Sequence, residues 1–162
     1  MNRIGSSDEF KVPSFPIAIV VSLFNQEITS ALKDGAVARL LERGVLEHDI
    51  LLVEVPGAIE IPITAAHIAK NKQASVIIAL GSVIYGETDH YDCVFEQINY
   101  GCQRVALDYH VPVIFEVLMT ENEEQAFDRL GGSHGHKGTS AADCAIDMYR
   151  VLQQLQNVRN NS

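Results

Sequence analysis

The prediction of the fold starts from one stretch, Ala79-Leu-Gly-Ser-Val-Ile-Tyr-Gly-Glu-Thr-Asp-His-Tyr-Asp92. Residues 75–80, at its start, form a short apolar run that is typical of a buried strand. Beyond the stretch, apolar side chains recur at helical spacing from Val94 to Val105. We therefore expect a strand-to-helix turn here, and in an open parallel sheet ligands bind at this end of a strand.

The turn carries residue types suited to binding an anion and transferring a proton. Gly81 and Gly86 permit a tight turn or a close approach of the backbone to a ligand. Thr88 is a suitable cap for the following helix, whose N-terminus would present N–H groups to a phosphate. His90 is expected in the first helical turn, where the helix dipole favours a neutral imidazole that can act as a general base. A lone histidine at such a place is more often a capping or structural residue, and that alternative stays open.

Strands and helices alternate along the rest of the chain. Strands are predicted at residues 17–24, 50–55, 75–80 and 111–118, where apolar runs occur. Helices are predicted from Asn25, as cap, to about residue 44 and from Pro62 to about 70. A long helix follows the central turn and ends at about 109. A short helix is predicted over 122–130, and the last helix has an apolar face at 145–155. Residues 131–136 are expected to form a loop rich in glycine and histidine.

This alternation predicts an α/β fold, namely a three-layer α/β/α sandwich with a four-stranded, mostly parallel, flavodoxin-like sheet. We expect residues 1–13 to be a flexible N-terminal arm because they are polar and contain Gly5, Ser6, Ser7 and Pro13. Residues 14–156 are expected to form a single domain, followed by a polar tail at 157–162.

The composition restricts the class of partner. The 162 residues carry a formal net charge of −9, which argues against nucleic acid or an anionic membrane surface as the main partner. No signal peptide or membrane-spanning apolar run is seen. The three cysteines contain no CxxC pair, so we expect buried free thiols in a reducing compartment and a cytoplasmic protein.

Several side chains are candidates for a ligand site at the strand ends, and each has an ordinary structural alternative. Phe24 could stack on a planar ligand or be the last core residue of its strand. Glu60 could hydrogen-bond a polyol or only cap a helix, and Arg129 and Lys137 could bind a phosphate or only be solvated. His134 and His136 form an HxH pair, but without further ligands nearby we expect no metal site.

Six segments together resemble the lumazine synthase family. They are Ser22-Leu-Phe-Asn25, Val55-Pro-Gly-Ala-Ile-Glu-Ile-Pro62, the 79–92 stretch, Val111-Pro-Val-Ile-Phe-Glu-Val-Leu118, Glu124-Gln-Ala-Phe-Asp-Arg129 and Gly135-His-Lys-Gly138. They occur in the family's order and near its spacing over residues 16–155. Any one segment is a weak signal, whereas the second and third in combination are highly specific.

The resemblance implies a transferase of riboflavin biosynthesis that needs no cofactor. Members condense 5-amino-6-(D-ribitylamino)pyrimidine-2,4-dione with 3,4-dihydroxy-2-butanone 4-phosphate to give 6,7-dimethyl-8-ribityllumazine, phosphate and water. Their sites lie between subunits of a pentamer, and in many members pentamers assemble into an icosahedral shell. Riboflavin synthase is a candidate partner.

Roles for individual residues follow from the same resemblance. Phe24 would stack on the pyrimidine, and Glu60 would hold ribityl hydroxyls. His90 would be the general acid/base, and Gly86, Glu87 and Thr88 would bind the phosphate. A neighbouring subunit would supply Phe115 to close the pocket, Arg129 to clamp the phosphate and Lys137 to assist at the pyrimidine end. The remaining predicted substrate-binding residues are Asn25, Ala58, Ile59, Ser82, Val83 and Ile84.

The chain departs from the common family pattern at a few positions. Ile59 stands where an aromatic residue is usual, Tyr85 replaces a frequent arginine, Glu116 a frequent glycine, and Ser140 a frequent acidic residue. Two alternatives to an active synthase are a family member that binds a flavin or lumazine with little turnover, and a flavodoxin-like binding module that shares only the fold. Tight riboflavin binding without product would favour the first, and a monomer that copurifies with flavin mononucleotide would favour the second.

Overall fold

A computed structural model of the chain describes residues 1–86 and 90–158. Its main sheet is four-stranded and all parallel, in the order β2-β1-β3-β4. The strands are β1 (Ile17–Ser22), β2 (Ile50–Val55), β3 (Val76–Ile84) and β4 (Val113–Thr120). The helices are α1 (Gln26–Glu42), α2 (Ile61–Lys70), α3 (Tyr91–Tyr109), α4 (Glu123–Asp128) and α5 (Lys137–Val158). The predicted α/β class and strand number are confirmed.

The sheet separates two hydrophobic cores, so that the predicted three layers are present. On one face, side chains such as Ile19 and Ile78 pack with Leu32 of α1 and Ile146 of α5. On the other face, alternate residues of the same strands pack against α2 and α3. Every residue of β1 and β3 is buried because both strands are central and covered on both faces.

The third strand is longer than predicted. The apolar run predicts an end at Leu80, but β3 continues to Ile84 because Gly81–Ile84 pair in register with Val117–Thr120 of β4. The predicted turn function of Gly81 is therefore wrong. A Cβ atom at this position would lie 3.2 Å from both Ser22 Oγ and Val117 Cγ1, so glycine allows close packing inside the sheet.

Two other predicted boundaries differ. The helix expected over 122–130 ends at Asp128, and the segment expected to be a loop is an antiparallel hairpin of β5 (Leu130–Gly132) and β6 (Gly135–His136). Positive φ angles at Gly131 (110°) and Gly135 (68°) allow this tight reversal. The first strand also ends at Ser22 instead of Phe24, and a residue with φ of 57°, Asn25, precedes α1.

The N-terminal segment contacts α1 and α5. Arg150 Nη2 donates to the carbonyls of Glu9 and Lys11, both at 2.8 Å, and Arg43 Nε donates to the carbonyl of Phe10. Val12 is buried in the first core. Helix α5 runs to Val158, across the predicted start of the tail, and residues 159–162 of that tail lie outside the described residues. The division into arm, domain and tail stays a prediction.

The thiols are not all buried as predicted. Cys102 is buried in α3, whereas Cys93 and Cys144 are exposed on their helices, and all three are unpaired. Burial raises the pKa of the Cys102 thiol to about 12. Within residues 1–86 and 90–158, no helix is long and apolar enough to cross a membrane.

Candidate functional site

A cavity of about 220 Å³ lies at the carboxyl end of the sheet, where the strand-end segments meet. It is lined by residues after β1, residues after β2, the last residues of β3 and one residue of α3. Its lining contains Phe24, Gly57, Ala58, Ile59, Glu60, Ser82, Val83, Ile84 and Val94. Most of the predicted substrate-binding residues are therefore brought together, although Asn25 and Phe115 are not among the residues lining it.

Backbone hydrogen bonds continue the pairing of β1 and β2 beyond the strands. Leu23 N donates to Val55 O at 2.8 Å, and Phe24 N donates to Pro56 O at 3.2 Å. The Phe24 side chain is 60% exposed at the cavity, so the alternative that it is simply a core residue is wrong. An aromatic face held by backbone bonds but open to solvent can stack on a planar ligand.

Glu60 occupies the N-cap position of α2, but its side chain makes no capping hydrogen bond. A Cβ atom on Gly57 would lie 3.0 Å from Glu60 Oε2, which shows that the carboxylate sits over the glycine backbone. The side chain thus faces the cavity that it helps to line, as a lone acceptor among apolar neighbours. An exposed carboxylate in this place can accept hydrogen bonds from hydroxyl groups.

Asn25 has a different function from the predicted helix cap. Its side chain makes no capping hydrogen bond to α1, and its Nδ2 donates to the carbonyl of Ser82 at 3.0 Å. The bond ties the residues after β1 to the end of β3 and so supports the wall formed by Phe24 and Ser82. The Ser82 hydroxyl itself is buried and makes no hydrogen bond to the residues that the structure describes.

The turn after β3 begins at Tyr85, whose N–H donates to Thr120 O at 2.8 Å. Gly86 has a φ of 89°, a conformation that side-chain-bearing residues rarely adopt. His90 is the exposed N-cap residue of α3, one position before the predicted first turn, and its carbonyl accepts from Val94 N at 2.9 Å. The predicted phosphate ligands Glu87 and Thr88, and hence the predicted cap, lie outside the described residues.

A second cavity, of about 680 Å³, lies beside α4 and the β5–β6 hairpin. It is lined by Asn122, Glu124, Gln125, Asp128, Arg129 and His134. Lys137 N donates to Arg129 O at 2.8 Å, so the two cations predicted for the site flank the base of the hairpin. Arg129 thus lines a different cavity of the chain from Phe24.

The strand beside these cations carries Phe115 and Glu116 on opposite faces. Phe115 is half-buried against the core of α2 and α3. Burial raises the pKa of Glu116, and the positive charges of Lys137 and Arg129 act in the opposite direction. Glu116 therefore places a partly desolvated carboxyl within electrostatic reach of both cations.

Sequence reasoning missed a cluster at the hairpin. Asp128 accepts hydrogen bonds from Ser133 and His134, and these bonds lower the pKa of its carboxyl group. Ser140, at a place where the family often has an acidic residue, donates to His136 O at 3.1 Å. The glycines at 131, 132 and 135 were the available signal for a hairpin that brings Ser133 and His134 back to Asp128.

The HxH pair does not converge on one point. His134 lies against Asp128, whereas His136 packs beside Gly35 and Gly138 at the contact between α1 and α5. In the part of the chain that the structure describes, no group of at least three His, Cys, Asp or Glu residues could hold a metal ion.

Comparison with known proteins gives a consistent family. The family model described as 6,7-dimethyl-8-ribityllumazine synthase matches residues 14–153. Proteins of that name from Coxiella burnetii strains CbuG_Q212, RSA 493 / Nine Mile phase I and Dugway 5J108-111 are each 49% identical to this chain over 143 residues. The matches cover 88% of this chain and 95% of each relative.

Proposed function

The chain belongs to the 6,7-dimethyl-8-ribityllumazine synthase family, and from this premise we propose how its residues carry out the reaction. The enzyme condenses 5-amino-6-(D-ribitylamino)pyrimidine-2,4-dione with 3,4-dihydroxy-2-butanone 4-phosphate, in the penultimate step of riboflavin biosynthesis. An amine joins a ketone, phosphate and water leave, protons shift and a ring closes. The substrates supply the nucleophile and the leaving group. The protein therefore has to orient the two substrates, bind the phosphate anion and transfer protons.

The observation that supports the assignment of the ring site is the 220 Å³ cavity with Phe24 at its mouth. The pyrimidinedione is planar, and the exposed ring of Phe24 offers a stacking surface of matching shape. Glu60 and the backbone around Val83 lie on the same lining and would hydrogen-bond the ribityl hydroxyls and the ring edges. His90, exposed at the start of α3, would transfer the protons.

We propose that a neighbouring subunit completes the site, as in a pentamer. In support, the ring cavity is smaller than the roughly 300–1,000 Å³ of typical small-molecule sites. Arg129, the proposed phosphate ligand, lines the other cavity of the same chain, as expected if each subunit contributes a different half to two sites. Phosphate would then be bound by Arg129 together with Gly86, Glu87 and Thr88 of the adjacent chain, with Phe115 closing the pocket and Lys137 assisting at the pyrimidine end.

Assembly of pentamers into an icosahedral shell, a cytoplasmic location and riboflavin synthase as a partner are further proposals. They rest on the family resemblance. Sedimentation velocity separates a pentamer from a shell, and co-sedimentation with purified riboflavin synthase tests the partner.

The experiment that tests the reaction mixes the two purified substrates and follows lumazine absorbance and fluorescence. Wild type should form product. His90→Ala should slow turnover without abolishing it. The expected loss is at most about 10²-fold, the lower end of the usual range for general acid–base catalysis, because the orientation of the substrates is retained. Arg129→Ala should raise KM for the phosphorylated substrate by about tenfold or more, since it loses charge-assisted hydrogen bonds.

One control variant and two contrary outcomes make the experiment decisive. His48→Ala changes an exposed histidine away from both cavity linings and should leave both kinetic constants unchanged. Wild-type rates in both His90→Ala and Arg129→Ala would refute the residue assignments. Tight riboflavin binding by a folded oligomer that forms no product would instead identify a binding protein of the family.

A further inference from the structure

Asp128 is saturated with donors from the hairpin. Its Oδ1 accepts from Ser133 N at 3.0 Å, and its Oδ2 accepts from Ser133 Oγ at 2.7 Å. His134 Nδ1 lies 2.6 Å from the same Oδ2, and because a carboxylate only accepts, the imidazole donates. We refer to Asp128, Ser133 and His134 as the hairpin clip.

Glycine makes this arrangement possible. A Cβ atom on Gly132 would overlap Asp128 Oδ1 and lie 2.7 Å from the Asp128 carbonyl oxygen. A side chain at 132 would therefore push the carboxylate away from its donors. The clip is a specific close approach between the end of α4 and the returning hairpin.

Asp128, whose carboxylate the clip holds, directly precedes Arg129 in the chain. Both residues line the same cavity, together with His134. Among the residues that the structure describes, the Arg129 side chain makes no hydrogen bond or ion pair, although Asp128 is next to it. An adjacent carboxylate without donors of its own would compete with an anionic ligand for the guanidinium group.

We propose that Ser133 and His134 are positioning residues that keep the Asp128 carboxylate away from Arg129, so that the guanidinium group stays available to the phosphate of the substrate. This inference rests on the proposed function, which assigns phosphate to Arg129. It adds that phosphate affinity depends on two residues that need not touch the ligand. Glu124, which lines the cavity, and Glu116, which lies within electrostatic reach of Arg129, are retained in every variant below, so their effects cancel.

The test uses His134→Ala, Asp128→Asn and the double variant in the full-length protein. The affinity for inorganic phosphate is measured by calorimetry, and KM is measured for each substrate. His134→Ala should weaken phosphate binding and raise KM for the phosphorylated substrate by about two- to fivefold, the worth of a partly exposed ion pair. KM for the pyrimidine should not change.

The double variant separates this mechanism from a loss of structure. In Asp128→Asn/His134→Ala the released side chain no longer carries a charge, so phosphate affinity should return to within about twofold of wild type. His48→Ala, which removes an exposed histidine 3.8 Å from Asp49, is the matched control. An unchanged affinity in His134→Ala would overturn the inference, as would a double variant no better than His134→Ala.

Failure of the proposed function has a different signature. If wild type forms no lumazine, the reaction assignment fails, whereas the phosphate calorimetry still reports on the clip. If wild type turns over and Arg129→Ala loses phosphate affinity but His134→Ala does not, only the clip inference fails.

Discussion

Gly138→Ala adds one methyl group where α5 crosses α1, directly after Lys137. The new Cβ would overlap the carbonyl oxygen of Leu32 and lie 2.9 Å from its carbonyl carbon. Carbon atoms pack at about 3.5–4.0 Å, so the first turn of α5 must withdraw by about 0.5–1 Å. Such overpacking costs about 1–3 kcal/mol. From the middle of that range, about 2 kcal/mol, alanine recovers up to about 1 kcal/mol through its higher helix propensity, which leaves a net loss of about 1–2 kcal/mol.

For a chain of this size, that loss corresponds to a fall in Tm of about 2–8 °C. The assay is urea unfolding at one fixed protein concentration, because the proposed oligomer would make the apparent stability concentration-dependent. Gly5→Ala is the control, since nothing lies within 4 Å of its Cβ position. Gly35→Ala would meet the His136 imidazole, a side chain that can rotate, and should cost less than Gly138→Ala. A Gly138→Ala protein as stable as wild type would refute the close approach of α1 and α5.

Three further outcomes are expected. Glu116→Gln should raise the free energy of unfolding at pH 7 and leave it unchanged near pH 3.5. Because burial raises the pKa of Glu116, ionisation of its partly buried carboxyl opposes folding at pH values above that raised pKa. It does not oppose folding below the ordinary pKa of about 4.3. Equal changes in the free energy of unfolding at the two pH values would contradict this. A thiol reagent should label the two exposed cysteines and reach Cys102 only after unfolding, as followed by mass spectrometry; early labelling of Cys102 would be inconsistent with its burial. Ile59→Phe should tighten binding of the pyrimidine substrate by about two- to tenfold, the worth of an aromatic pair, and calorimetry showing weaker binding would argue against a ring pocket here.

The sheet could be predicted from the sequence because its central strands obey a local rule. Residues 17–22 and 76–80 are continuous apolar runs, and strands covered on both faces need no alternation of polar and apolar residues. The end of β3 could not be predicted in the same way. Gly81 is a turn signal by composition, but the strand continues because β4 continues beside it, and such pairing is not local.

The same distinction applies to the candidate site. The wall around Phe24, Ala58 and Ser82 was predictable because each residue lies at or just beyond the carboxyl end of a strand, and these ends meet at one edge of a parallel sheet. The contact between Asp128 and His134 was not, since it requires the chain to reverse through a hairpin whose glycines were interpreted only as a loop. The capping prediction for Asn25 failed because its amide finds a carbonyl on β3 instead.

The mouth of the ring cavity shows what the single chain leaves incomplete. Phe24, Ile59 and Tyr85 are large apolar or aromatic side chains, and they are 60%, 44% and 60% exposed. Exposed side chains of this kind are common singly, but a group of them at a cavity marks a surface that a ligand or another chain covers. A small aromatic ligand would cover Phe24 and Ile59, which line the cavity, whereas Tyr85 is not among the lining residues. The proposed arrangement accounts for this remaining surface, because it places a second subunit at the mouth of the cavity to bring Arg129 to the phosphate.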